Sequence, residues 1–220
     1  MQHPAPGFHF PPHKCAGVGE YIVPLRHRVG RPAAPAAIET LIRLTAKAEG
    51  VQAQLLDFYQ KHDGVELCCS PDLFNGGEAP ALCFLPVNEW EPQAAYLLSD
   101  DLSWLFEGLE DMYKLGDFLV VGANDNEHTR LVLFTAGTHN GESLVGKMFC
   151  VAMDPPLGFT EVLAPSFHDM LDAFARNPVA FLEKISYCSV VQGDSGNCYG
   201  SVADQYLPDI RSMAGVKGKA

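Results

Sequence analysis

Four side chains able to do acid–base or metal chemistry fall close together in mid-chain: Asp125, Glu127, His128 and His139. Carboxylates and imidazoles in one group can exchange protons near neutral pH or ligate a divalent ion. They stand in polar stretches between strand-like segments, so a small metal-dependent hydrolase built on loops is one reading. The plainer one is that loop tips are where polar residues belong. His9, His13 and Cys15 form a second potential ligand set, but with three members where a structural zinc site takes four. Gly193-Asp194-Ser195-Gly196 has the form of a serine-protease nucleophile segment. Asn197 follows it in place of glycine, no histidine sits in an Ala-His-Cys setting, and little chain remains, so a Gly-rich turn is the simpler assignment. Gly122 and Gly137 lack phosphate-loop spacing, and the chain carries neither Gly-x-Gly-x-x-Gly nor Gly-Lys-Ser/Thr. The residues thus predict no cofactor, no metal and no catalytic apparatus.

Another kind of chemistry is recognition. Asp100, Asp101, Glu107, Glu110 and Asp111 make the densest acidic run of the chain, close in sequence to Trp90 and Trp104. Aromatic anchors beside charged residues are a usual composition for a protein interface. The competing expectation is that both tryptophans are core, the common fate of that side chain. Against 15 basic residues the chain carries 27 acidic ones, a formal charge of −12. Such a balance works against nucleic acid and anionic membranes and favours a basic partner, or simply keeps the protein soluble. Seven cysteines, odd in number and mostly within apolar segments, predict free thiols without disulfides. No segment has the length of a membrane span and the first residues do not read as a signal peptide, so the expectation is cytoplasmic.

The elements that must hold these groups follow from spacing. Residues 1–35 are rich in Pro, Gly and His and read as an extended arm, with one short strand at Glu20 to Leu25. Ile38, Leu41, Ile42 and Thr45 predict a helix ended or interrupted by Gly50, followed by a second from Val51 to His62. Leu55, Phe58, Tyr59 and His62 share one face of that second helix, and Gly64 supplies the left-handed stop. Val65–Cys69 and Ala81–Leu85 predict a hairpin with a long connection, and Pro86 opens a short helix bearing Val87, Trp90 and Ala94. Ser99 caps a further helix with the apolar stripe Leu102, Leu105, Phe106, Leu109, Met112 and Tyr113. Strands are expected at 117–122, 129–134 and 145–153, joined by short polar loops and therefore antiparallel. Ser166 and Asp169 form a capping box for a helix with Phe167, Met170, Leu171 and Phe174 on its apolar face, and Asn177-Pro178 opens another through Phe181 and Ile185. Residues 186–220 are polar and Gly-rich and read as an extension. The fold class is α+β: an antiparallel meander over 36–185 flanked by helices.

The succession of a helix ending at Asp63-Gly64, Leu82-Cys83-Phe84-Leu85-Pro86-Val87-Asn88-Glu89-Trp90, Asp117-Phe118-Leu119-Val120-Val121-Gly122, Leu131-Val132-Leu133 and Ala164-Pro165-Ser166-Phe167-His168-Asp169-Met170-Leu171 resembles the SUKH superfamily. That family includes bacterial immunity proteins that neutralise toxins, many of them nucleases, and a fungal regulator of cell-wall synthesis. The resemblance implies a non-catalytic α+β binding module that occludes its target, and the acidity of this chain suits a basic toxin domain. Partner-binding residues are then expected at Trp90, Asp100, Asp101, Trp104, Glu107, Glu110 and Asp111. A self-associating regulatory module, with a homodimer, is the remaining reading. Pro165 stands where the family pattern has a serine, and the arm and the extension have no counterpart in it.

Overall fold

The computed structural model describes residues 2–3, 26–71, 78–80, 82–124, 129–152, 162–177, 181 and 185. The elements run β1 (Gln2–His3), β2 (Arg26–Val29), α1 (Pro35–Leu44), α2 (Glu49–Tyr59), β3 (Val65–Pro71), β4 (Glu78–Ala79), β5 (Leu82–Phe84) and α3 (Trp90–Leu97). They continue through β6 (Phe118–Asn124), β7 (Thr129–Phe134), β8 (Thr138–His139), β9 (Glu142–Ser143), β10 (Met148–Ala152), β11 (Val162–Ala164) and α4 (Phe167–Arg176). The main sheet has the order β1-β2-β3-β5-β6-β7-β10-β11, with β4 paired to β3 and every pairing antiparallel. The protein is α+β with the expected meander at its centre.

Strand alternation sends side chains to two cores. Leu119 and Val121 of β6, Leu131 and Leu133 of β7, and Met148 and Cys150 of β10 meet Leu41, Val51, Leu55, Tyr59, Phe167 and Met170 of α1, α2 and α4. Their neighbours Phe118, Val120, Val132, Phe134, Phe149 and Val151 lie under Ala94, Leu97, Leu105, Phe106, Met112 and Tyr113. Both faces of β7 are therefore covered, and every residue of it is buried. Even Arg130 is sealed, its Nε–H donating to Gln93 Oε1 of α3 at 3.0 Å.

The turn after α2 knits the first half together. Gly64 has φ +89°, the left-handed conformation expected of it. Its carbonyl accepts from Gly30 N at 2.8 Å, and the Asp63 carboxylate accepts from Val87 N at 3.0 Å, anchoring the short 3-10 turn Val87–Glu89. Residues 26–31, assigned from composition to the arm, thus belong to the body: β2 pairs with β3, past the strand expected at 20–25, which itself lies outside the described residues. Ser166 caps α4 as its capping box requires, Oγ accepting from Asp169 N at 3.0 Å. Phe181 and Ile185 close the first core.

Two expected elements take other forms. The first helix pair breaks at Thr45, whose hydroxyl donates back to Leu41 O at 2.7 Å, and Gly50 lies inside the first turn of α2. The stripe from Leu102 to Tyr113 is not an α-helix. It is a 3-10 segment, Asp100–Phe106, followed by tight turns, because Gly108 adopts φ +79° and breaks the ladder. The stripe still packs inward, since three-residue spacing serves a 3-10 turn as well as an α-helix. Ser99 precedes it without a side-chain cap, its hydroxyl buried and without a hydrogen-bond partner among the described residues.

Candidate acidic docking face

The layer that closes the second core runs from α3 through Tyr113, and its outer surface carries most of the residues singled out for recognition. Leu105 and Phe106 point into the core, which leaves Asp100, Asp101, Trp104 and Glu107 outside. The indole of Trp104 is 43% exposed, and its Nε1–H donates to Asp101 O at 3.1 Å, fixing the ring at the surface. Glu110 and Asp111 are exposed on the following turn. Hydrogen bonds from its own amide and from Gly108 N hold the Glu110 carboxyl below its ordinary value. Sequence reasoning missed two apolar members of this layer, Tyr96 on α3 and Leu115, the latter 66% exposed. Tyr96 had a signal: it sits between Ala94 and Leu97, both buried, on the outer face of the helix.

Trp90 corrects the expectation of a second surface anchor. It is fully buried, its ring edge-on to Tyr59 at 4.9 Å, and Trp90 Nε1 and Tyr59 Oη both donate to Leu85 O, at 3.2 and 2.9 Å. It is a core residue because the chain turns at Pro86 and sets the Val87–Glu89 turn against α1, where Arg43 and Glu91 pair at 2.6 Å.

Charge sets this face apart. Residues 89–117 contain eight carboxylates and one basic residue, Lys114, more than half of the net charge of −12. Outside this segment Asp57, Glu66, Glu142 and Asp172 each have a cationic partner, and within it Glu91 is held by Arg43. Among the described residues Asp100, Asp101 and Glu107 have none; only Asp111 is approached, by Lys114 at 3.7 Å. Uncompensated like charges at a surface raise the local negative potential and repel one another, and a cationic partner relieves both.

A cleft of about 350 Å³ between α2 and α4 was not foreseen. Asp57, Phe58, Lys61, His62, His168, Leu171 and Asp172 line it. Its charges are largely satisfied internally: Lys61 donates to Asp57 at 2.7 Å and depresses that carboxyl, His168 Nε2 lies 3.9 Å from Asp57, and Arg176 reaches Asp172. The i,i+4 spacing of Asp57 and Lys61 was legible in the sequence, but the approach of His168 from α4 was not.

The candidates for acid–base or metal chemistry fare differently. Asp125, Glu127 and His128, like His9, His13, Cys15 and Gly193–Gly196, lie outside the described residues. Asn124 and Thr129, which flank the first three, pair at one end of the β6–β7 hairpin, whereas His139 follows the other end of β7. The rise of a six-residue strand puts roughly 17 Å between those ends. His139 pairs in register with Glu142 in the separate β8–β9 ribbon. Among the described residues no three His, Cys, Asp or Glu side chains are grouped to hold a metal ion, and no helix is long and apolar enough to cross a membrane.

Comparison with known proteins gives no match, either to a family model or to a curated protein sequence.

Proposed function

We propose that this chain is a non-catalytic protein-binding module of the immunity type, which docks a basic partner on the acidic layer between α3 and Leu115 and neutralises it by occlusion. The observation that carries the reading is the set of exposed carboxylates Asp100, Asp101 and Glu107, without a cationic partner among the described residues, on and beside the 3-10 segment that exposes the indole of Trp104. Long-range attraction from the acids speeds encounter, and the exposed apolar side chains Tyr96, Trp104 and Leu115 supply the contact area that holds the complex. The resemblance to the SUKH superfamily supplies the class of partner, a basic nuclease-like toxin domain. No substrate chemistry enters this reading, because occlusion needs only complementary surface.

The test is a capture experiment from the native source at two salt concentrations, with the protein and its Asp101→Lys, Glu107→Lys, Glu110→Lys variant as baits. The expected result is a basic protein retained at low salt, released at high salt, and lost or slowed in association by the variant. Equal retention by the variant, or recovery of no basic protein, refutes the proposal.

A further inference from the structure

We infer that the docked partner leads with arginine, its guanidinium stacked on the indole of Trp104 and its N–H groups turned to the carboxylate of Asp101; this rests on the docking reading above. Three features of the 3-10 segment point to it. A 3-10 turn has three residues per turn, so side chains at i and i+3 eclipse one another, and Asp101 and Trp104 stand in line along one edge. The indole N–H is already committed to Asp101 O, which leaves the π-face of the ring as its means of recognition. Asp101 has no cation among the described residues, in contrast to Glu91, which Arg43 holds.

A flat aromatic surface beside a carboxylate favours a planar cation. Guanidinium stacks on the ring and keeps its donors in its own plane, free to form a forked pair with a neighbouring carboxylate. Ammonium is a compact, strongly hydrated charge that gains less from the ring and cannot fork. The acidic layer thus recruits any basic surface, and Trp104 with Asp101 selects arginine over lysine at one position. The other exposed apolar residues of the layer differ: Tyr96 lies on α3, and Leu115 carries no π-system.

The experiment compares two labelled peptides of equal length and net charge, one with lysine as its only cationic residue and the other with arginine, by fluorescence anisotropy at low salt. Each is titrated against the wild-type protein, Trp104→Leu and Trp104→Phe. Because Trp104 lies at the surface, all three proteins should show the same far-UV circular dichroism. Exposed cation–π pairs lead us to expect the arginine-over-lysine affinity ratio to fall by about two- to fivefold in Trp104→Leu, with part of it restored in Trp104→Phe. A ratio unchanged by Trp104→Leu overturns the arginine inference and leaves the acidic docking face standing. Failure of both peptides to bind the wild type overturns both.

Discussion

Trp90 and Trp104 differ in what their loss should cost the folded protein, because one is enclosed and the other half-exposed. Replacing Trp90 by alanine removes a side chain with no exposed surface, its edge-on contact with Tyr59 at 4.9 Å and its hydrogen bond to Leu85 O. The carbonyl keeps the Tyr59 hydroxyl at 2.9 Å, so no buried acceptor is orphaned and the loss is one of packing. Deleting a buried aromatic of this size costs about 3–5 kcal/mol, a large share of the roughly 5–15 kcal/mol that holds a typical domain together. For a chain of 220 residues the melting temperature should drop by about 10 °C. Trp104→Ala, which trims a ring already 43% exposed, should cost about 1 kcal/mol or less. Urea denaturation followed by far-UV circular dichroism measures both, with the midpoint read at unchanged slope. Should Trp104→Ala destabilise as much as Trp90→Ala, Trp104 is part of the core, and the docking face loses its anchor. Trp90→Phe, which keeps an aromatic ring against Tyr59, is expected to fall between the two.

Ser166→Ala should destabilise the protein by about 1 kcal/mol through loss of the cap on Asp169 N, with Ser166→Asp retaining most of it, as chemical denaturation will show. Burial pushes the phenols of Tyr59 and Tyr113 well above the usual tyrosine range. A phenol whose folded pKa exceeds its unfolded value contributes stability that is fully present below about pH 10 and is lost as the pH climbs beyond it. Ultraviolet titration should therefore show these two tyrosines ionising only with alkaline unfolding, and Tyr59 ionising in the folded protein near pH 10 would contradict its burial.

Elements whose signals are local were legible in advance. The Ser166 and Asp169 capping box, the left-handed Gly64 and the apolar strand segments at β6, β7 and β10 depend on neighbours a few residues away, and the structure bears each of them out. The stripe from Leu102 to Tyr113 was located correctly but given the wrong helix, since three-residue spacing does not distinguish a 3-10 turn from an α-helix and Gly108 was passed over. The Arg26–Val29 strand was hidden because pairing with β3 is a long-range contact that composition does not encode.

The sequence by itself determined the class of fold, the excess of carboxylates and where they cluster, because hydrophobic period and charge are properties of the chain. Only the tertiary structure decided which of these residues share a surface. Trp90 and Trp104 have similar sequence surroundings, yet one is enclosed by Tyr59 and Leu85 from elements 31 and 5 residues away, while the other rides on the outside of a turn whose Leu105 and Phe106 take the core. His139 and the hairpin ends at Asn124 and Thr129 were parted in the same way, by the length of β7. Burial is a competition among side chains for a limited interior, and its outcome depends on contacts that form only when distant segments meet.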